Sequence, residues 1–177
     1  MTNLLKLITL VVTFLGVASA GAMAAISLQN TDADTLGVLS IIDQNDIQAA
    51  QLAEQKTINH AVLDYARMLD LDHNEHLDET RHLSQQLGMT IEDNGSLEEL
   101  RTDGDQDLAA LTVLDAKDFS ELYIADMIKG QAEALDWIDM QDTQNKKVKK
   151  FLDQTREILD RCLETAERIQ KQQTGSL

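Results

Sequence analysis

Proline is absent from this chain of 177 residues, cysteine occurs once, and aromatic residues make up 3% of it. Each shortage excludes something. β-Sheet domains draw on aromatic and β-branched residues, so a chain this poor in Tyr, Phe and Trp is a poor candidate for a β-sandwich. The single cysteine, Cys162, has no intramolecular disulfide partner. In an oxidising compartment such a residue is either buried or paired with another chain. Basic charge is scarce as well: 15 Lys and Arg stand against 31 Asp and Glu, a formal net charge of −16. Nucleic acid and anionic membrane surfaces both require clustered cations, so neither is expected as a partner.

The one long apolar stretch is at the N-terminus. "MTNLLKLITLVVTFLGVASAGAMAA" carries a single positive charge, Lys6, then an apolar run from Leu7 to Val17, then small residues. Ala18-Ser19-Ala20 and Ala22-Met23-Ala24 both fit the small-x-small cleavage pattern, the layout of a secretory signal peptide over residues 1–20, with cleavage as late as Ala25. The competing reading is an uncleaved anchor, but the apolar run is short for a spanning helix. No cysteine follows the run, which excludes lipid attachment there. Cleavage leaves 177 − 20 = 157 residues, enough for one domain with its own core, and a charge of 14 − 31 = −17, because Lys6 leaves and no acid does. A periplasmic or secreted protein is expected, without an integral membrane segment after cleavage.

Apolar spacing is helical almost throughout the rest. It predicts a first helix over 34–56, with Thr31 and Asp32 as N-cap candidates, and a second from Asn59 to Gly88, residues suited to the two caps. Residues 89–114 hold the turn-rich "EDNGS" and "TDGDQD" and form the one long connection, with short helices expected around 96–101 and 108–114. A third long helix is expected over 117–141 and a fourth over 143–170, followed by a fraying tail, 172–177. The fold class is therefore all-α: a ferritin-like four-helix bundle over residues 31–171, with a long connection between the second and third long helices that allows either a ferritin-like crossover or a simple up-down bundle with a decorated loop. The fourth helix and tail hold 8 Lys and Arg against 5 acids, which serves to close an acidic three-helix surface; "NKKVKK" read as a docking patch is the weaker account.

The polar residues that matter fall on the core stripes. The second helix reads Val62, Ala66, Leu69, His73, His76, Thr80, Leu83, Leu87, apolar at both ends and polar in the middle. Both histidines of "DLDHNEH" lie on that stripe and face the bundle interior. The first helix reads Val38, Ile42, Asp46, Ala49, Ala53, and Asp46 shares a level with His73 if the pair is antiparallel. The third reads Phe119, Tyr123, Met127, Gly130, Ala134, Trp137, with Gln131 beside the stripe. The fourth reads Val148, Leu152, Thr155, Leu159, Cys162, Ala166, Ile169, with Cys162 expected a turn or more off the histidine level. The candidate metal ligands are thus Asp46, His73, His76 and Cys162, with Asp72 and Gln131 as polar neighbours. His, carboxylate and thiolate suit zinc, copper or iron. The alternative, which the sequence favours, is a metal-free hydrogen-bonded layer that fixes helix register.

Other chemistries lack their motifs. A di-iron carboxylate site needs two Glu-x-x-His motifs, and Glu79-Thr80-Arg81-His82 is the only one, with His82 on the outer face. "DGDQD" lacks the glycine and the final Glu of an EF-hand loop. There is no nucleophile elbow, phosphate loop or CxxC, so an enzyme is not the expected reading.

Two stretches carry a family resemblance. "VLDYARMLDLDHNEHLDETRHLSQQLG" (62–88) is similar to the V-x-x-F-A-x-x-M-x-x-D-H pattern, followed by glycine, of the exported domain-of-unknown-function family 4142, and "FSELYIADM" (119–127) to its F-D-x-x-Y-x-x-x-M. The likeness covers residues 38–169. It implies a ferritin-type helical bundle with an acid in the first long helix, an Asp-His pair in the second and one His in each of the third and fourth. Here Asp46 falls at the acid and Asp72-His73 at the pair, while Gln131 and Cys162 replace the other two histidines, and Glu157 stands where a proline is usual. One of three family histidines is kept. The family's outer-membrane label implies nothing here, since no strand pattern for a barrel exists. The expected role is a structural or interaction protein of the cell envelope with a protein partner or as a homodimer; the alternative is a metal-binding or stress-related bundle with a mononuclear core site.

Overall fold

The computed structural model describes residues 31–91 and 95–175; the expected signal peptide lies outside the described residues. Among the described residues the chain is helical, with five helices rather than the expected four and no strand. They are α1 (Asp32–Lys56), α2 (His60–Leu87), α3 (Gly95–Thr112), α4 (Ala116–Asp139) and α5 (Lys146–Gly175).

Local chemistry sets the ends. Thr31 opens α1 with a capping box: its hydroxyl accepts from the Asp34 N–H while the Asp34 carboxylate accepts from the Thr31 N–H. Asn59 accepts from Ala61 and Val62 at the start of α2, and Gly88 ends it in the left-handed region at φ 64°, where a side chain would be strained. Asp115 caps α4. The stretch expected to fray stays helical to Gly175, and Gln173 donates to the Ser120 carbonyl.

The connection 89–114 departs most from expectation. In place of two short helices, α3 runs unbroken through "TDGDQD". Gly104 is not a breaker but a contact point: a Cβ there would sit 2.3 Å from the Asn45 side chain on α1. Gly37 does the same from the other side, where a Cβ would meet Leu97 at 2.9 Å. The two glycines let α3 lie against the outer face of α1. Lys56, the last residue of α1, then reaches the carbonyls of Leu111, Thr112 and Leu114 and lies over the Phe119 ring. A cation there satisfies carbonyls that the end of α3 leaves free.

These contacts fix the directions. The α1–α2 turn meets the start of α4 through Thr57 and Ser120, and the end of α5 meets it through Gln173. So α2 and α4 both start at that end, while α1 and α5 both finish there. Neighbours around the bundle are α1–α2, α2–α5, α5–α4 and α4–α1. The link from α2 to α4 therefore crosses the bundle, with α3 carrying the chain back along its length.

The core has two apolar halves. One, around Ala50, Val62, Leu69, Phe119 and Ile169, lies toward the α1–α2 turn. The other, around Leu36, Leu39, Trp137, Val148 and Leu159, lies toward the far end. Burying a side chain such as Leu36 or Leu159 contributes about 2 kcal/mol. The expected stripes are the buried ones on α5 and on α2 as far as Thr80, with Tyr65, Leu77, Ser84 and Phe151 added and Leu83 and Leu87 only half-buried. On α4 the expected stripe is buried except at one position: Gln131 is buried and Gly130 is exposed. Among the described residues no helix is long and apolar enough to cross a membrane.

Candidate functional site: a polar layer between two apolar halves

Between the apolar halves, α1, α2, α4 and α5 each contribute polar side chains to one level. The centre is Asp43, 1% exposed, which the reading of α1 as a single stripe did not single out. Its carboxylate receives two imidazoles. His73 Nδ1 lies 2.8 Å from Oδ1, and His76 Nδ1 lies 2.9 Å from Oδ1 and 2.8 Å from Oδ2. His73 and His76 are three residues apart on α2, so both rings leave the same face and converge on one acceptor. His76 Nε2 meets the Thr155 hydroxyl at 2.7 Å, and its ring stacks on Phe151 with centroids 4.7 Å apart. Thr155 in turn donates to the Phe151 carbonyl. Both ring nitrogens of His76 are therefore engaged.

His73 differs. Its Nε2 has Asp46 Oδ2 at 3.3 Å and the Cys162 thiol nearby, and the atom is buried without a hydrogen bond of good geometry. Gln131 donates to the same Asp46 oxygen at 2.9 Å. Cys162 is fully buried and free. It stands on the His73 level, not a turn away as expected. Tyr65 and Tyr123 complete this side, edge to face at 6.2 Å, close enough to Asp46 and Cys162 for their charges to be felt. Both hydroxyls, and Gln131 Oε1, are buried with no partner among the described residues.

The electrostatics follow from burial and proximity. Burial alone would lower the His73 pKa, but the carboxylates of Asp46 and Asp43 outweigh it, and His73 is held well above the ordinary histidine value. Burial raises the Asp46 carboxyl; His73 and the Gln131 hydrogen bond pull it down and Asp43 pushes it up, and the result is above the usual carboxylate range. Burial pushes both tyrosines upward.

Of the residues singled out in the sequence, Asp46, His73, His76, Gln131 and Cys162 come together. Asp72 does not: it is a surface residue paired with Arg161 at 2.7 Å. The missed residue, Asp43, had a signal. Leu36, Leu39, Asp43 and Ala50 form a second stripe on the first helix, and it is buried because α1 is covered on two sides. Among the described residues, no three His, Cys, Asp or Glu side chains converge on a point that could hold a metal ion.

Comparison with known proteins adds a fold and a family. The crystal structure of a DUF305 fragment from Deinococcus radiodurans superposes with a TM-score of 0.71 at 15% identity, covering 80% of this chain and 95% of that one. At that identity the likeness is one of fold. Among curated proteins none matches the sequence. A family model does, over residues 17–169, and the chain belongs to that family, described as a domain of unknown function (DUF4142).

Proposed function

We propose that this protein is an exported, non-catalytic helical bundle of the cell envelope, ferritin-like in its four long helices, whose polar layer fixes their register and whose acidic surface meets a protein partner or a second copy. One observation carries this reading: hydrogen bonds join Asp43, His73, His76 and Thr155 across α1, α2 and α5, as in a structural layer. The signal-peptide layout supports export, and the mature charge of 14 − 31 = −17 supports solubility outside the cytoplasm. N-terminal sequencing of the protein from the periplasmic fraction tests export. A new N-terminus between residues 21 and 26 is expected; intact Met1 in the membrane fraction would sink it.

A second reading has its own observation. His73 gives Nδ1 to the Asp43 carboxylate, which turns Nε2 toward Asp46 and Cys162. A carboxylate behind a histidine is how metal-binding imidazoles are oriented. In that reading Asp46, His73 and Cys162 draw together on zinc, copper or iron, with His76 held behind them by Asp43. Elemental analysis separates the two, comparing the native protein with a His73→Ala, Cys162→Ser double variant. Stoichiometric metal that disappears in the variant selects the second reading. A variant that only loses stability, with no metal in either protein, selects the first.

A further inference from the structure

Four side chains, one from each long helix, gather near a single carboxylate oxygen. Oδ2 of Asp46, on α1, has His73 Nε2 of α2 at 3.3 Å and the Gln131 amide of α4 at 2.9 Å. The Cys162 thiol of α5 lies near the same His73 nitrogen. His73 and Gln131 are 1% exposed and Cys162 is 0% exposed. Two of the atoms here, His73 Nε2 and Gln131 Oε1, are buried with no hydrogen-bond partner among the described residues. Burying a polar atom unpaired is costly. Two such atoms beside one carboxylate point to a group that they share.

The spacing suits a metal ion. Two donors on one ion at about 2.1 Å stand roughly 3.0–3.4 Å apart, and His73 Nε2 is 3.3 Å from Asp46 Oδ2. Asp43 holds His73 Nδ1, which leaves Nε2 as the nitrogen turned toward Asp46. A carboxylate oxygen that accepts from Gln131 keeps a lone pair for an ion. Turning the Gln131 amide over about its last bond exchanges Nε2 and Oε1, so the oxygen can take the inner place. Among the described residues no three His, Cys, Asp or Glu side chains converge on a point; the amide oxygen is the donor that completes the set, with Cys162 closing by rotation. The donors also choose the metal. One imidazole nitrogen, one thiolate and two oxygens make a mixed four-coordinate set, which suits zinc. Carboxylate and thiolate bring two negative charges, which a divalent ion cancels, as a dry interior requires. With every position filled by protein there is none left for water or substrate, the arrangement of structural zinc.

We propose that Asp46, His73, Gln131 and Cys162 bind one zinc ion that staples the four long helices together. This rests on the second reading above for Asp46, His73 and Cys162; it adds Gln131 as the fourth ligand, names the metal and gives it a structural role. Binding displaces the Cys162 thiol proton and the proton on His73 Nε2 to solvent, with no change of oxidation state. Cobalt(II) chloride, which occupies zinc sites and reports on them in the visible spectrum, is the first probe. It is added at one equivalent to the purified, EDTA-treated protein, and to the same protein refolding from urea, so that a closed bundle does not bar entry. One cobalt per chain is expected, with a thiolate-to-cobalt charge-transfer band and the intense d–d bands of a tetrahedral ion. One equivalent of zinc sulfate should remove these bands and raise the unfolding midpoint.

Two substitutions at one position isolate the fourth ligand. Gln131→Leu should bind zinc at least tenfold more weakly and alter the cobalt d–d bands. Gln131→His, which supplies a nitrogen donor from the same place on α4, should restore both, and so separates loss of a ligand from loss of packing. Equal zinc affinity in the native and Gln131→Leu proteins would overturn the proposal and leave the three-ligand reading standing. The weak d–d bands of a six-coordinate cobalt would do the same, because they put water in the set. A native protein that takes up neither cobalt nor zinc, folded or refolding, would overturn both, leaving the orphaned atoms to ordered water.

Discussion

Asp43 accepts from two imidazoles at once, so its removal strands two buried rings rather than one. Breaking a buried charged pair by deleting one partner costs about 3–5 kcal/mol. Asp43→Ala should therefore lower the free energy of unfolding in urea by at least about 3 kcal/mol, whereas Asp72→Ala, which loses only a surface pair with Arg161, should cost under about 1 kcal/mol. Equal effects would mean that the layer is not a unit. His73 adds a pH dependence. Its folded pKa lies well above the ordinary value of 6.5. A base shifted upward contributes its stability in full below the unfolded value and loses it as pH rises through the folded one. Asp46, a carboxyl shifted upward from 3.8, acts in the same direction, because the native state holds its proton longer than the unfolded chain does. The urea midpoint should thus fall as pH rises above the ordinary histidine value of 6.5, and His73→Gln should flatten that fall. An unchanged slope in the variant would assign the effect to general repulsion among the acids.

At the scale of the helix, two glycines at similar distances from their helix ends should respond oppositely to alanine. At Gly104 the new Cβ overlaps Asn45 at 2.3 Å, and moving Asn45 breaks its bond to the Leu100 carbonyl. Gly104→Ala should destabilise by about 1–3 kcal/mol and loosen α3. At Gly130 nothing lies within 4 Å, so Gly130→Ala should instead stabilise by about 0.5–1 kcal/mol through helix propensity alone. Guanidinium unfolding of the two variants decides it. The pair also marks where sequence reading stopped. Gly104 in "TDGDQD" reads as a helix breaker because breaker chemistry is local, while its use here is tertiary, a place for Asn45 to fit. Asp43 was hidden for a related reason. A stripe argument assumes one buried face, and α1 has α2 and α4 on one side and α3 on the other. Where a helix has a single buried face, as α2 and α5 do, His73, His76, Thr155 and Cys162 were placed inside by spacing alone.

At the scale of the molecule, the formal charge of −16 makes the folded state repel itself. Added sodium chloride should raise the melting temperature, most steeply below about 0.1 M, where the Debye length still exceeds about 10 Å. A melting temperature that falls with salt would mean that ion pairs such as Arg161–Asp72 and Arg156–Asp139 outweigh the repulsion. The class of fold was legible from the shortage of aromatics and proline and from the helical period. The traverse from α2 to α4 was not, because the order of helices around a bundle depends on packing between distant segments. The burial of Cys162 has a practical sequel. It is the chain's only thiol, 0% exposed, on a helix that packs against both α2 and α4. A thiol reagent can reach it only when those helices part, so the rate of labelling in native buffer is an internal clock for opening of the bundle. Anything that binds the closed form, whatever its identity, will announce itself by slowing that clock.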